Sequence, residues 1–419
     1  MKFDPKTLNA LSVQLYGHEI GLINRLRDDR HMFAFKQDYI EDPARPTLSL
    51  SFKGQTGGLV TSTRAVNVRL PPFFSNLLPE GHLRTYLAAR AGVKPQREFF
   101  LLAVLGADLP GALVVVPREQ VDEGDRHDDD VHGDDDRNSR AALRFSLAGV
   151  QLKFSAIMEA SGGLTIPADG MGGSWIIKLP SPRFAAVPEN EHVMLELART
   201  VGIRVPPNRL ISIQDIQGLP KDAGAMEGKA LAVQRFDRGP GGERIHMEDF
   251  AQVFGLFPDD KYDRQSYANI ASVLWAETGE AGTYEFLRRL VFSVLIGNAD
   301  MHLKNWSLLY SDHRTPTLSP AYDLVATLPY IPRDQLALGF GGSRSLSEIT
   351  VSQVRRFADT ARLPTNPLWR IVVETAERTV ASWRTLEHRD LLPGHTRTAI
   401  EKQILTVART ILGNGTSEA

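Results

Sequence analysis

The stretch YEFLRRLVFSVLIGN, residues 284–298, is apolar almost all round. A surface helix confines its apolar side chains to one stripe, so a helix without a polar face has to lie inside a domain with other elements packed about it. The stretch runs out at Gly297 and Asn298. The next residues put Asp300, His302, Lys304 and Asn305 within six positions, before a second apolar run, WSLLYS. Polar groups at the seam of two buried segments cost free energy unless something partners or uses them. Chemistry is therefore to be sought first at this seam.

Around the central helix the chain falls into regions of different character. Residues 9–25 and 47–70 alternate apolar and polar in short runs with glycine punctuation and predict strands. Residues 70–93 predict a turn and a helix, and 97–117 a helix, a turn and a strand, so that 1–117 forms a small α+β domain. The segment 118–140 follows, with ten acidic residues between Glu119 and Asp136 and almost nothing apolar. It cannot bury enough surface to offset its ordering entropy and predicts a disordered linker. A calcium loop is the competing reading, but the EF-hand spacing and its closing glutamate are absent.

Residues 141–240 predict a second strand-rich region. RFSLAGVQLKFSAI (144–157) reads as strand, glycine turn and strand, SWIIKLP (174–180) as an apolar strand, and KALAVQRFDR (229–238) as another. Between them ENEHVMLELARTVGI (189–203) has helical periodicity. From 241 to 419 the pattern is helical, including VSQVRRFADTA (351–361) and most of 366–413. The expected fold is two-lobed α+β, a strand-rich lobe followed by an all-helical lobe.

Composition narrows the function classes. The 419 residues contain no cysteine, which excludes disulfides, thiolate catalysis and cysteine-ligated metals. A net charge of −2 offers no whole-chain case for nucleic-acid binding. No apolar run approaches the ~20 residues of a membrane helix. The first residues carry charges and a proline where a signal peptide needs an apolar stretch. A soluble, cytoplasmic protein is expected.

Asp300 and Asn305 are joined by a further acid, Asp323, in LSPAYDLVATLP. Upstream, Lys178 is the only charge in an apolar strand. Phosphoryl transfer from ATP needs a lysine on a strand to neutralise phosphate oxygens. It needs one Asp to position the attacking hydroxyl or take its proton, and an Asn and a second Asp to hold Mg²⁺. It also needs a hairpin whose backbone N–H groups cover the phosphates. The chain order is a hairpin over 146–154, Lys178, the helix acid Glu191, a hinge strand over 229–236, Asp300, Asn305 and Asp323, which is the order of protein-kinase parts. Each residue alone has a plainer reading. Lys178 could guard an edge strand, Asp300 and Asn305 could cap or turn, Asp323 could be an N-cap, and His302 could be a packing histidine. The order of all of them favours the kinase reading.

These segments resemble the HipA family of serine/threonine kinases, the toxins of HipBA-type toxin–antitoxin modules. FFSNLLPEG (73–81), FSLAGVQLKF (145–154), IIKLP (176–180), NEHVMLELA (190–198), LAVQRFDR (231–238), DFAQVFGL (249–256), IGNADMHLKN (296–305) and LSPAYDL (318–324) fall in family order. The placing of the histidine after the aspartate, Asp300-x-His302-x-x-Asn305, is similar to the phosphoinositide-kinase and HipA branch of the kinase fold.

The resemblance implies Asp300 as catalytic base, Asn305 and Asp323 as Mg²⁺ ligands, and Lys178, paired by Glu191, on the ATP phosphates. It implies a phosphate-covering turn of Ala148, Gly149, Val150 and Gln151, with Lys153 reaching the phosphates. Gln234 and Phe236 would meet adenine, Gln234 standing where a glutamate is usual, and His302 would line the nucleotide site. Ser146 matches the serine that the family autophosphorylates, and a phosphate there would be repelled from bound ATP. The implied partners are a HipB-like helix-turn-helix antitoxin, operator DNA through it, and a protein serine, in known members often on an aminoacyl-tRNA synthetase. Arg344, Arg355 and Arg356 could contribute a basic surface, or equally an ordinary solvated face. An antibiotic-type small-molecule phosphotransferase and a catalytically weak corepressor acting with an antitoxin are the alternatives.

Overall fold

The computed structural model describes residues 7–118, 153–158, 164–166, 173–219 and 227–414. Residues 119–140 of the expected linker lie outside the described residues, as does the expected turn with Ser146, Ala148, Gly149, Val150 and Gln151. The chain forms two compact units. The first comprises Met1–Ile176, Ile216–Asp222 and Asp237–His246, and the second Ile177–Asp215, Ala223–Phe236 and Met247–Ala419, as far as each is described.

In the first unit, β1 (Ala10–Leu15) is the hub of a five-stranded sheet with β2 (His18–Arg25), β3 (Arg30–Phe35), β4 (Val66–Asn67) and β5 (Leu113–Pro117). The order is β4-β3-β2-β1-β5 and every pairing is antiparallel. The alternation seen in the sequence is the cause: Leu11, Val13 and Leu15 of β1 are fully buried on one face. Helices α1 (Gln37–Glu41), α2 (Pro72–Ser75), α3 (Gly81–Ala91) and α4 (Glu98–Leu105) complete the unit. Gly106 ends α4 against β5. A Cβ there would lie 2.0 Å from the carbonyl oxygen of Val115, so no other residue permits the approach. Glu98, at the start of α4, is buried and accepts hydrogen bonds from Leu70 N, Ser75 Oγ and Arg84 Nη2, which ties the segment before α2, α2 itself and α3 to α4.

The strands expected over 47–70 form only as β4. The rest is a 3-10 turn at Leu50–Phe52 and a glycine turn in which Gly57 N donates to Gly54 O and Gly54 N to Gly58 O. Three glycines in five residues favour that local closure over an extended ladder. Strand β3 was not anticipated, because its start lies in the charged run RDDRH.

Three short strands also belong to this unit: β6 (Lys153–Met158), β7 (Leu164–Thr165) and, later in the chain, β10 (Ile216–Gln217). β6 pairs antiparallel with β7, and β7 parallel with β10. The segment Asp237–His246 is held by a buried charge network. Arg238 donates to Asp108 Oδ1 at 3.0 Å, Asp237 Oδ2 at 2.8 Å and the carbonyls of Leu109 and Gly111. Gly111 N donates in turn to Asp237.

The second unit sets β8 (Trp175–Lys178), β11 (Lys229–Gln234) and β9 (Asn208–Ser212) side by side, with β9 and β11 antiparallel. Helix α5 (Val187–Val201) packs on β9 and β11 through Val193, Met194, Leu197 and Val201, all fully buried. A small sheet, β12 (His246–Asp249), β13 (Ser307–Tyr310) and β14 (Thr317–Leu318), accompanies the helices of the second half, with α6 (Phe250–Val253) after β12.

The all-apolar stretch forms the C-terminal half of α7 (Tyr267–Ile296), which breaks helical geometry at Gly279. From Phe286 to Ile296, only Arg288 is not buried. Helices α8 (Val351–Ala361), α9 (Thr365–Thr385) and α10 (Gly394–Asn414) surround it. Ser266 and Asn269 form a capping box at its start, and Gly297, at φ 73°, closes its end by donating to the carbonyls of Ser293 and Val294.

Replacing Arg238 by Met should leave Asp108 and Asp237 buried without their shared cation. We expect a loss of about 3 kcal/mol, the usual scale for breaking a buried ion pair on one side. Urea unfolding read by tryptophan fluorescence measures it. Arg238→Lys should recover only part, since an ammonium cannot reach four acceptors in a fork. An unchanged midpoint in Arg238→Met would show that the network adds nothing to stability.

Candidate active site

Lys178 is the last residue of β8 and is 5% exposed. A buried ammonium is tolerated only with compensating charge. Two carboxylates supply it: Nζ donates to Glu191 Oε1 on α5 and to Asp323 Oδ1 on the segment after β14. Burial pushes the lysine pKa down, but the charges of Asp323 and Glu191 outweigh it and the net shift is upward, so the cation is fixed. Glu191 is itself buried, whereas Asp323 remains partly open to solvent. Asp323 lies in the left-handed region, at φ 53°, a conformation that aspartate and asparagine tolerate better than most side chains.

The seam after α7 is built by main-chain and asparagine contacts. Asn298, buried, accepts a hydrogen bond from Asp300 N at 3.1 Å and donates to the carbonyl of Asp323 at 3.4 Å, so one side chain spans the two acidic segments. Ala299 N donates to Thr327 Oγ1, and Ala337 N to Ala299 O. Within the loop His302 N donates to Asp300 O, and Asn305 closes the turn through Nδ2 to that same carbonyl. With its donor end committed, the amide of Asn305 has its acceptor oxygen left to offer a cation. Below the loop Lys304 pairs with Asp249 at 2.9 Å, and Tyr322 OH donates to Lys304 O.

Asp300 opens to solvent at its outer edge yet sits among enough protein that loss of hydration raises its carboxyl pKa, and the charges of Asp323 and Asp334 push the same way. Tyr262 OH, donating to Oδ1 at 2.8 Å, and Lys261 oppose that rise. Burial drives His302 down to about 3, aided by Lys261 and Lys304, so it is neutral at physiological pH. Its Nδ1 is buried without a hydrogen-bond partner among the described residues.

The structure thus brings Lys178, Glu191, Asp300, His302, Asn305 and Asp323 into one linked region of the second unit. Gln234 closes β11, its N–H donating to Pro207 O, and the ring of Phe236 lies 5.6 Å from that of Tyr322, beside Asp323. Lys153 starts β6 in the first unit, and Ser146 with the turn residues Ala148 to Gln151 falls outside the described residues. Sequence reasoning missed Asn298 and Tyr262. The asparagine stood inside the polar cluster and carried a signal. Tyr262, 38 residues from Asp300, carried none.

A carboxylate and an amide oxygen are hard donors of the kind Mg²⁺ prefers. No group of three or more His, Cys, Asp or Glu residues placed to hold a metal occurs among the described residues. A cation on Asp323 and Asn305 would complete its shell with phosphate oxygens and water, the usual state of Mg²⁺ beside a nucleotide. The donor set therefore fits Mg-ATP.

Two family models match the chain, the HipA N-terminal domain over residues 11–116 and the HipA-like C-terminal domain over 145–383. Y4dM of Sinorhizobium fredii, a protein named as a kinase, is 52% identical over 386 residues, covering 90% of this chain and 91% of that protein. The serine/threonine-protein kinase toxin HipA of Shewanella oneidensis is 25% identical over 412 residues, covering 89% and 88%. The solved structure of the Shewanella oneidensis complex of HipA, HipB and operator DNA contains a chain that superposes with a TM-score of 0.73. That match has 23% identity and covers 98% of this chain and 100% of that one. With both family models matched and a relative aligned along nine-tenths of its length, the chain belongs to the HipA family and has the α+β fold of that HipA chain.

Proposed function

We propose that this chain is a serine/threonine-protein kinase toxin of a HipBA-type module, using Mg-ATP to phosphorylate a protein hydroxyl. The observation that carries the reading is Lys178 clamped between Glu191 and Asp323, with Asn298 joining Asp323 to the Asp300–Asn305 loop. Structural lysines rarely recruit two carboxylates from separate segments next to a third acid whose pKa is raised.

In the proposed reaction Lys178 neutralises phosphate oxygens and Glu191 holds its ammonium in place. Asp323 and Asn305 would hold Mg²⁺, which would supply positive charge against that developing on the phosphate oxygens. Asp300 orients the acceptor hydroxyl and takes its proton as the oxygen bonds to the γ-phosphorus, the bond from phosphorus to the bridging oxygen breaks and ADP leaves. Neutral His302 packs under the loop and adds no charge to the site. Lys153, Gln234, Phe236 and residues Ala148, Gly149, Val150 and Gln151 of the expected turn are the further nucleotide contacts that the resemblance implies.

Ser146, in the same turn, is the proposed site of self-phosphorylation, since a phosphate there would repel bound ATP. A HipB-like antitoxin, operator DNA reached through it, an aminoacyl-tRNA synthetase as target and a cytoplasmic location are parts of the same proposal. The complex in which the Shewanella HipA chain was solved supports the first two. No helix among the described residues is long and apolar enough to cross a membrane.

Asp300→Asn keeps the shape of the base and removes its proton affinity. We expect phosphate incorporation from Mg-ATP to fall by about 10²–10⁴-fold, with nucleotide binding retained. Phosphopeptide mass spectrometry of phosphatase-treated protein should find phosphate on Ser146 in the wild type and none in Asp300→Asn. If the wild type binds Mg-ATP and modifies nothing, itself included, the kinase reading is wrong.

Lys178→Met should weaken both nucleotide binding and transfer, the latter ~10²-fold or more. Calorimetric titration with Mg-ATP measures the first, and binding of undiminished strength would remove Lys178 from the site.

The raised carboxyl of Asp300 sets the sign of a pH effect. The base works when deprotonated, so activity is complete above its pKa and is lost as pH falls through it. The acid limb of the rate profile should therefore lie above the ordinary carboxylate value of about 4. A limb at or below that value would place the base elsewhere.

A further inference from the structure

One contact at the site has no part in the proposed reaction. Tyr262 OH donates to Asp300 Oδ1 at 2.8 Å. A general base must accept from its acceptor hydroxyl at roughly 2.6–3.2 Å, so the phenol already makes the hydrogen bond that a substrate serine would make. We propose, resting on the kinase reading, that Tyr262 is a gate on Asp300. Its hydroxyl holds the place of the acceptor on Oδ1, which an attacking water would also have to occupy, until a protein substrate displaces it.

The surroundings of Tyr262 suit that role. Its backbone is pinned: Arg344 Nη2 donates to its carbonyl, and Leu303 N donates to the carbonyl of the neighbouring Lys261. The segment is bounded by the 3-10 turn Pro258–Asp260 and by Ser266, the cap of α7. The side chain is by contrast 38% exposed. Besides its bond to Asp300, the ring stands edge-on to His302 at 5.1 Å, and the Lys261 ammonium lies 5.4 Å from its centre. With the backbone fixed and the ring at the surface, a rotation of the side chain is the motion that would free Asp300. A tyrosine needed for structure would be expected inside, as Tyr267 and Tyr310 are.

The reason for a gate is chemical. A kinase that places a carboxylate beside bound ATP also activates water. In that side reaction the water oxygen bonds to the γ-phosphorus and its proton passes to Asp300. The bond from phosphorus to the bridging oxygen breaks, giving ADP and inorganic phosphate. A phenol on Oδ1 of Asp300 competes with water for that oxygen, although the residue itself stays exposed. An acceptor loop docked on the surrounding surface gains enough contact to displace the ring. Tyr262 is in this sense a positioning residue that acts through Asp300.

The test is Tyr262→Phe in the full chain, with Mg-ATP and no protein acceptor. Deleting the hydroxyl should raise ADP release by about tenfold, the factor that a charge-assisted hydrogen bond of ordinary strength holds back. The acid limb of that hydrolysis should also move to higher pH, because the phenol stabilises the charged carboxylate and its loss raises the pKa. A change in packing alone would not move the limb. Tyr262→Leu should behave the same way, and both variants should keep the wild-type melting temperature. Hydrolysis that is unchanged or lower while Mg-ATP still binds overturns the gate and leaves the kinase reading standing. Phosphate recovered on Tyr262 also overturns it, since the phenol would then be an acceptor. Failure of the wild type to bind Mg-ATP removes both readings.

Discussion

Everything about the site follows from the burial of one ammonium. Moving a lysine out of water costs several kcal/mol unless opposite charges accompany it. In this chain the compensation comes from two directions, Glu191 on α5 and Asp323 beyond β14. Neither carboxylate is near Lys178 in sequence. Their common attraction to it sets β8, the helix and the acidic segment in register. One negative charge would have balanced the lysine; two leave an excess that a divalent ion or a further cation can use. A site that stores unspent negative charge beside a fixed positive one is matched to a ligand carrying both, as a metal–nucleotide pair does.

The second constraint is the end of α7. A helix that is apolar on every side has no tolerance for shifting, because any rotation exposes or crushes part of its surface. Gly297 stops it in the left-handed conformation, and the next residues are therefore delivered from an immobile base. Asn298 uses that fixity to hold Asp300 and the Asp323 segment together. Asn305 is in turn referred to the backbone of Asp300 rather than to anything more distant. The polar groups are thus positioned by main chain and amides, which have few degrees of freedom, and not by long flexible side chains.

What could be read in advance divides along physical lines. Helix α8 was legible to its ends because Val354, Phe357, Ala358 and Ala361 recur on one buried stripe and a Thr350–Gln353 box marks its start. β1 and α5 were legible for the same reason, since their periodicity is an imprint of burial, whereas β8 was read from its apolar run. The segment 47–70 misled because alternation over a few residues is weak evidence against three closely spaced glycines, which found their hydrogen bonds locally. Of the site, Lys178, Asp300, Asn305 and Asp323 were visible as polar residues at apolar segments, and Glu191 only through the order of kinase-like parts. Tyr262 was not, since a tyrosine beside charged residues in a loop looks like any surface residue until the fold brings Asp300 to it.

Asp323 shows what such a site demands of its chain. The residue holds a backbone angle that glycine adopts freely and aspartate at some cost. A glycine there would ease the backbone and in the same change remove a carboxylate that accompanies the buried Lys178. The two effects oppose each other, so the ease of the backbone does not by itself decide which residue position 323 can hold. An engineer smoothing the chain at this position would be dismantling the charge balance next to it.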